Sequence, residues 1–287
     1  MKKVLISGAG GALGREILHQ LKGCGDYKAF ALSSQPECLK CDTKTVTVAH
    51  NRDLTELVEK NEFDFLIHLA FPRNTDGYSY AKGIDFTYRL YSVLRKQKKM
   101  SVIHVSSQSI YGLTRTEAAT ESTPLELTSV YTAGKYCIEQ TTNLLFDNQR
   151  HTNIRLATLI GKESTNKVPN IFLKKLMAGE DVTVRGGNQV FSFLDIRDAA
   201  EAIIKIMGSD IVWKEEYNLG TPEYYSLLEL AHIIQNFAEE RNSDCGQVLH
   251  TPEDVYLNNV IDSTLFYKDF SWMPRYSMTD SLEYILE

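Results

Sequence analysis

The chain has 287 residues, of which 43% are hydrophobic and 24% charged, with 17 Gly and 7 Pro; this excludes a disordered or fibrous protein and predicts a globular one. The balance of 31 basic and 37 acidic residues leaves a formal charge of -6, which repels a phosphate polymer and argues against nucleic acid as a partner. No apolar run approaches the ~20 residues needed to span a bilayer, and the N-terminus carries no signal-peptide pattern, so no membrane is expected as a partner. Five scattered cysteines, Cys24, Cys38, Cys41, Cys137 and Cys245, read as reduced thiols and place the protein in the cytoplasm. Cys38 and Cys41 form a C-x-x-C, but no second ligand pair follows at metal spacing, and no metal site is expected.

In chain order, the pattern predicts a strand at 4–6, a helix at 13–21, strands at 29–32 and 46–48, a helix at 54–59 and a strand at 63–70. A helix at 86–95, a strand at 102–106, a helix at 135–146 and a strand at 154–158 follow. Runs such as Phe65-Leu66-Ile67 are apolar without alternation, as expected where both faces of a parallel sheet are covered. The fold class is therefore α/β, with a doubly wound parallel-sheet (Rossmann) domain over 1–160. Residues 161–287 form a smaller C-terminal cap that binds substrate, with segments near 190–225 returning to the first domain. Turns are expected at Gly186-Gly187 and Thr221-Pro222, and a helix at 227–239. The basic run Arg95-Lys96-Gln97-Lys98-Lys99 falls where a helix should end, and cations there complement the macrodipole.

The segment Ile6-Ser7-Gly8-Ala9-Gly10-Gly11-Ala12-Leu13-Gly14 spaces Gly8, Gly11 and Gly14 three apart between a strand and a helix. Glycines there permit a tight turn and close backbone approach, and the free N–H groups at Ala12 and Leu13 face a pyrophosphate together with the helix dipole. An NAD site usually ends its second strand in Asp or Glu, which binds the adenosine ribose hydroxyls. Here that end reads Ala31-Leu32-Ser33-Ser34. Ser33 does not repel a 2′-phosphate, and Arg15 and Lys40 are candidates to approach one. The expected cofactor is NAD or NADP, with NADP favoured.

Tyr131 and Lys135 are four residues apart and stack on one face if the segment is helical. A free phenol ionises near pH ~10, so Tyr131 becomes a proton shuttle at neutral pH only where a cation such as Lys135 favours phenolate. Lys135 also has the reach to hydrogen-bond a nicotinamide ribose.

Taken together, these motifs resemble the extended short-chain dehydrogenase/reductase family, in its NAD-dependent epimerase/dehydratase branch. The resemblance runs nearly end to end: the glycine motif, then Ile67-His68-Leu69-Ala70, whose backbone at Leu69 and Ala70 should line the cofactor. It continues through His104-Val105-Ser106-Ser107-Gln108-Ser109-Ile110-Tyr111-Gly112, Arg155 to Gly161, Phe193-Leu194-Asp195-Ile196-Arg197-Asp198, Tyr217-Asn218-Leu219-Gly220, and Ile261-Asp262-Ser263 through Trp272-Met273-Pro274. It implies a catalytic set of Ser107, Tyr131 and Lys135, with Ser106 as the alternative to Ser107. His68 and His104 read as packed core imidazoles. The resemblance also implies a homodimer through the helices near 86–95 and 136–147.

Three departures from the family pattern carry information. Its dehydratases place an Asp-Glu pair directly after the serine, where this chain has Gln108 and Ser109, which argues against dehydration. The usual Asn in the helix after the fourth strand is replaced by Gly83. An Arg that often meets a substrate diphosphate is replaced by Phe191, and Arg185, Arg197 and Lys174 are the possible substitutes. The expected function is an NAD(P)-dependent epimerase or 4-ketoreductase acting by hydride transfer at a sugar carbon, with a nucleotide sugar as substrate. The alternatives are a regulatory NAD(P)-binding protein of the same fold and a reductase of a non-nucleotide carbonyl compound.

Overall fold

The apolar runs read as strands pair with one another in parallel, as buried strands joined by helical crossovers should. The structure, a computed structural model, describes residues 1–39, 46–72 and 76–287. Its elements in order are β1 (Lys2–Ser7), α1 (Ala12–Leu21), β2 (Tyr27–Ser33), β3 (Val46–His50), α2 (Leu54–Glu59), β4 (Phe65–His68), α3 (Gly77–Leu94), β5 (Ser101–Val105), α4 (Val130–Leu145) and β6 (His151–Leu156). Then follow β7 (Thr158–Ile160), α5 (Val168–Met177), β8 (Val182–Arg185), β9 (Val190–Phe191), β10 (Phe193–Asp195), α6 (Ile196–Met207), β11 (Glu216–Leu219), β12 (Tyr225–Ser226), α7 (Leu227–Glu239), β13 (Val248–Thr251), α8 (Thr264–Phe270) and α9 (Met278–Leu286).

Seven strands form one sheet in the order β11-β6-β5-β4-β1-β2-β3. The chain builds outward from β1 through β2 and β3, then reverses through β4, β5 and β6. That reversal opens a crevice at the carboxyl ends of β1 and β4, where open α/β sheets bind ligands. The chain divides into two compact units, the first made of residues 1–110, 125–156 and 200–217, the second of 111–124, 157–199 and 218–287. The first unit buries Leu5, Leu32, Leu66, Leu90, Tyr91 and Phe146 in one apolar cluster, each contributing roughly 1.5–3 kcal/mol by leaving water. The second has its own core, built on Leu173, Val182, Val184, Leu230, Ile234 and Leu282.

Two helices begin earlier than their apolar periodicity indicates, and caps explain both. α3 starts at Gly77, nine residues before Phe86, because the Asp76 carboxylate accepts from the N–H groups of Tyr78 and Ser79. α4 starts at Val130 because Ser129 and Thr132 form a reciprocal capping box, each side chain accepting the other's backbone N–H. This places Tyr131 in the first turn and Lys135 one turn on. The helix at Leu227–Glu239 keeps its expected bounds and carries a Ser226/Glu229 capping box.

Cys24, Cys38, Cys137 and Cys245 are free thiols, while Cys41 and Lys40 lie outside the described residues. Among the described residues no helix is long and apolar enough to cross a membrane.

Candidate active site

The glycine loop leaves β1 at the reversal point. Gly8 adopts φ +76°, and a Cβ there would stand 2.7 Å from Ala70 N. Only glycine takes this backbone without strain while lying so close to the strand end at Leu69-Ala70. A Cβ at Gly14 would meet Ala9 Cα and Gly8 O at 2.7 Å, so α1 packs directly on the turn. Gly11 caps α1 with no side-chain hydrogen bond, so the cap residue itself offers no side-chain acceptor to the first helical N–H groups, those of Ala12 and Leu13 among them. Backbone that a Cβ would obstruct, at an uncapped positive helix end, fits a dinucleotide pyrophosphate. Ser33, buried at the end of β2, borders this loop: its Oγ would lie 3.0 Å from a Cβ on Gly10 and accepts from Gln35 N at 3.1 Å. Arg15 is exposed on α1.

Tyr131 and Lys135 share one face of α4 and meet the same ring. Phe71 lies edge-on to Tyr131, with centroids 5.7 Å apart, and the Lys135 ammonium sits 5.1 Å from the Phe71 centroid. Lys135 Nζ also donates to the Val105 carbonyl at 2.8 Å, which brings the helix to the end of β5, two residues before Ser107. Ser107 is half-buried; its Oγ donates to Ser109 Oγ and accepts from Ser109 N, both at 3.2 Å. Ser106 is buried, and among the described residues its Oγ has no hydrogen-bond partner. Gln108 is buried too, with Oε1 likewise unpartnered among them. Contacts thus run continuously from Gly8 through Ala70 and Phe71 to Tyr131, Lys135, Val105 and the serines.

Burial pushes the Lys135 amine down to about 8, with Glu139 partly offsetting that fall. Glu139 continues the same helical stripe and is locked by Arg155 in a buried ion pair, 2.9 Å from Arg155 Nη2 and 3.3 Å from Nε. The four-residue spacing of Tyr131 and Lys135 was visible in the sequence; Glu139 and its ion pair with Arg155 were not.

Beneath this face a polar row crosses four neighbouring strands, Ser7, His68, His104 and Asn153, in mutual register. Its hydrogen bonds assign both histidine tautomers. Thr87 donates its hydroxyl proton to Gly83 O, so it accepts from His68 Nε2–H at 3.1 Å, and His68 Nδ1 accepts from Ser7 Oγ at 2.6 Å. Asn153 Nδ2 donates to Asn143 Oδ1 and Glu215 O, which turns Asn153 Oδ1 toward His104 Nδ1–H. Both imidazoles are neutral and 1% exposed. The core placement read from the sequence holds, with a hydrogen-bonded order that single strands did not reveal. Burial lowers His68 to about 3 and His104 well below its usual value, and the nearby Lys135 charge adds to both.

In the second unit, Phe191 stacks on Phe193 at 6.0 Å and pairs with Tyr225 in a two-stranded sheet. Arg197 is committed to Asp195 through Nε and Nη2 and lies over the rings of Tyr276 and Tyr284. Arg185 and Lys174 are exposed.

Residues 4–220 match the model of the NAD dependent epimerase/dehydratase family, and the chain belongs to that family. A GDP-6-deoxy-D-talose 4-dehydrogenase of Aggregatibacter actinomycetemcomitans is 23% identical, the match covering 88% of this chain and 90% of the relative. A UDP-glucose 4-epimerase of Bacillus subtilis is 24% identical over 87% and 88% of the two chains. Among solved structures, the UDP-glucose 4-epimerase of Thermotoga maritima superposes with a TM-score of 0.84 at 17% identity, covering 99% of this chain and 97% of that one. The dTDP-glucose 4,6-dehydratase of Bacillus anthracis, in complex with NAD, also gives 0.84, at 18% identity over 100% and 96%. The protein is thus an enzyme of the NAD-dependent short-chain dehydrogenase/reductase type, with that fold.

Proposed function

We propose that this enzyme is an epimerase or 4-ketoreductase of a nucleotide sugar, with Tyr131 as general acid/base, Lys135 as its electrostatic partner and Ser107 as a hydrogen-bond donor to the substrate oxygen. The observation that carries this reading is the placement of Tyr131 and Lys135 on one turn of α4, with the Lys135 ammonium tied to the end of β5 next to the serines. A bound nicotinamide supplies the hydride acceptor or donor at the reacting carbon. On oxidation, the substrate hydroxyl releases its proton to Tyr131 Oη as the C–H electrons leave as hydride; reduction reverses both transfers. The Lys135 cation favours the phenolate that receives the proton. Gln108 and Ser109 offer no carboxylate for eliminating water, which favours epimerisation or reduction over dehydration. Relatives acting on UDP- and GDP-sugars support the nucleotide-sugar class. Phe191 supports a second reading, reduction of a carbonyl compound lacking a diphosphate, because a ring cannot pair a phosphate oxygen as a guanidinium does.

Ser33 in place of a carboxylate supports a preference for NADP within this NAD-dependent family. Releasing the retained nucleotide by denaturation and weighing it separates the outcomes. Near-stoichiometric NAD favours an epimerase that recycles its cofactor and refutes the NADP preference. An empty protein that binds NADPH reversibly favours the reductase. Failure to bind either dinucleotide refutes the catalytic reading.

The free thiols support a cytoplasmic enzyme. α3 and α4 expose Tyr88 at 67% and Leu144 at 77%, an apolar pair that supports homodimerisation through these helices. Sedimentation should give twice the chain mass at micromolar concentration; a monomer there would refute the dimer.

A further inference from the structure

We propose that Phe71 is a positioning residue for the Tyr131–Lys135 pair: its ring keeps water from between them and holds the Lys135 ammonium in place against the Val105 carbonyl. The inference rests on the reading of this pair as the acid/base machinery. Phe71 is two residues past Leu69, whose N–H donates to Ser7 O at 3.1 Å, so its backbone is anchored to the sheet. Its ring meets Tyr131 edge-on, Tyr80 edge-on at 6.1 Å, and the Lys135 ammonium at 5.1 Å. A π face attracts the cation without consuming a hydrogen bond. Among the described residues Lys135 then uses one N–H on Val105 O and keeps two for a ligand.

Two glycines make room for this segment. A Cβ at Gly134, the residue before Lys135, would stand 2.7 Å from the Phe71 ring and 2.5 Å from the Tyr80 ring. A Cβ at Gly83, where the family usually carries Asn, would stand 2.4 Å from Pro72 Cδ. Phe71 with Tyr80, and Pro72, therefore fill the space that a side chain at Gly134 and at Gly83 would need. Glycine weakens a helix interior, yet α3 and α4 each keep one at the point of contact.

The ionisable groups around the ammonium are Tyr131 and Glu139 on α4, Arg155 on β6 paired to Glu139, neutral His68 and His104 on β4 and β5, and Tyr80 on α3. None of these is altered by substituting Phe71. Burial is the largest cause lowering Lys135, so admitting water must raise its titration, whereas losing only the π face in a dry site must lower it.

The test follows the ionisation of Lys135 by NMR of protein labelled at the lysine ε-carbon, with the resonance assigned by its loss in Lys135→Met. Wild type should titrate near 8. Phe71→Ala should shift the midpoint up by about a unit or more toward the ordinary ~10.5, and Phe71→Leu should shift it down. Phe71→Tyr should restore the wild-type value. Gly134→Ala, which displaces the ring from the helix side, should reproduce the upward shift with Phe71 intact, and it carries the test if Phe71→Ala does not fold. An unchanged midpoint in both Phe71→Ala and Gly134→Ala, or the same shift in Phe71→Ala and Phe71→Leu, would overturn the proposal. Turnover does not enter this readout, so a failure of Tyr131 as acid/base is seen separately.

Discussion

Tyr131→Phe is expected to lower turnover by about 10²–10⁴-fold with dinucleotide binding unchanged. The substitution removes one oxygen and keeps the ring that packs on Phe71, so α4 and its cap stay in place. What is lost is the only atom of that side chain able to carry a proton between substrate and solvent. Because the proton and hydride move in the same overall step, the loss falls on kcat rather than on cofactor affinity. The check is steady-state turnover on an identified substrate beside a fluorescence titration with reduced dinucleotide. Full turnover in the variant would assign the proton to another group, and lost binding would mean that the hydroxyl serves the cofactor instead.

Stability should fall steeply in acid, beginning just below pH 6.5. His68 titrates near 6.5 when unfolded but only near 3 when folded, so between those values the unfolded chain binds the extra proton and gains from it. The stabilisation is complete above pH 6.5 and is lost as pH falls toward 3, to a total of about 5 kcal/mol for this one group. His104, lowered in the same direction, adds to the loss. Against a total stability of roughly 5–15 kcal/mol, the His68 contribution alone is a large share. Urea unfolding at a series of pH values measures the slope, and the double variant His68→Gln/His104→Gln should flatten it between pH 6.5 and 4. An equal slope in the variant would place the acid-labile groups elsewhere.

The local signals were the ones the sequence carried well. Apolar runs without alternation announced buried parallel strands, and three glycines after the first of them announced the turn at the crevice. Tyr131 and Lys135 were legible because a helix makes four-residue spacing into contact. The start of α4 was harder, since Thr132 takes the capping-box place more often held by Glu or Gln. His68 and His104 each look like an isolated polar residue in an apolar strand, and Asn153 precedes the strand expected at 154–158; only the register of β4, β5 and β6 turns them into a row. Phe71 gave no sign at all, because nothing in the sequence shows that Tyr80 on one helix and Tyr131 and Lys135 on another converge on its ring. Gly83 read only as a lost asparagine until Pro72 was seen to fill its place.

The exchange at Gly83 and Gly134 also constrains how this protein can change. Reverting Gly83 to Asn drives a side chain into Pro72, although Asn is what the family ordinarily uses there. Adding any side chain at Gly134 collides with Phe71 and Tyr80. Each addition is harmful alone and becomes acceptable only after the rings it meets have been made smaller, so the order of substitutions matters as much as their identity. A library that varies one position at a time will score both glycines as immutable. One that pairs position 83 with 72, and 134 with both 71 and 80, should recover folded combinations that the first never samples.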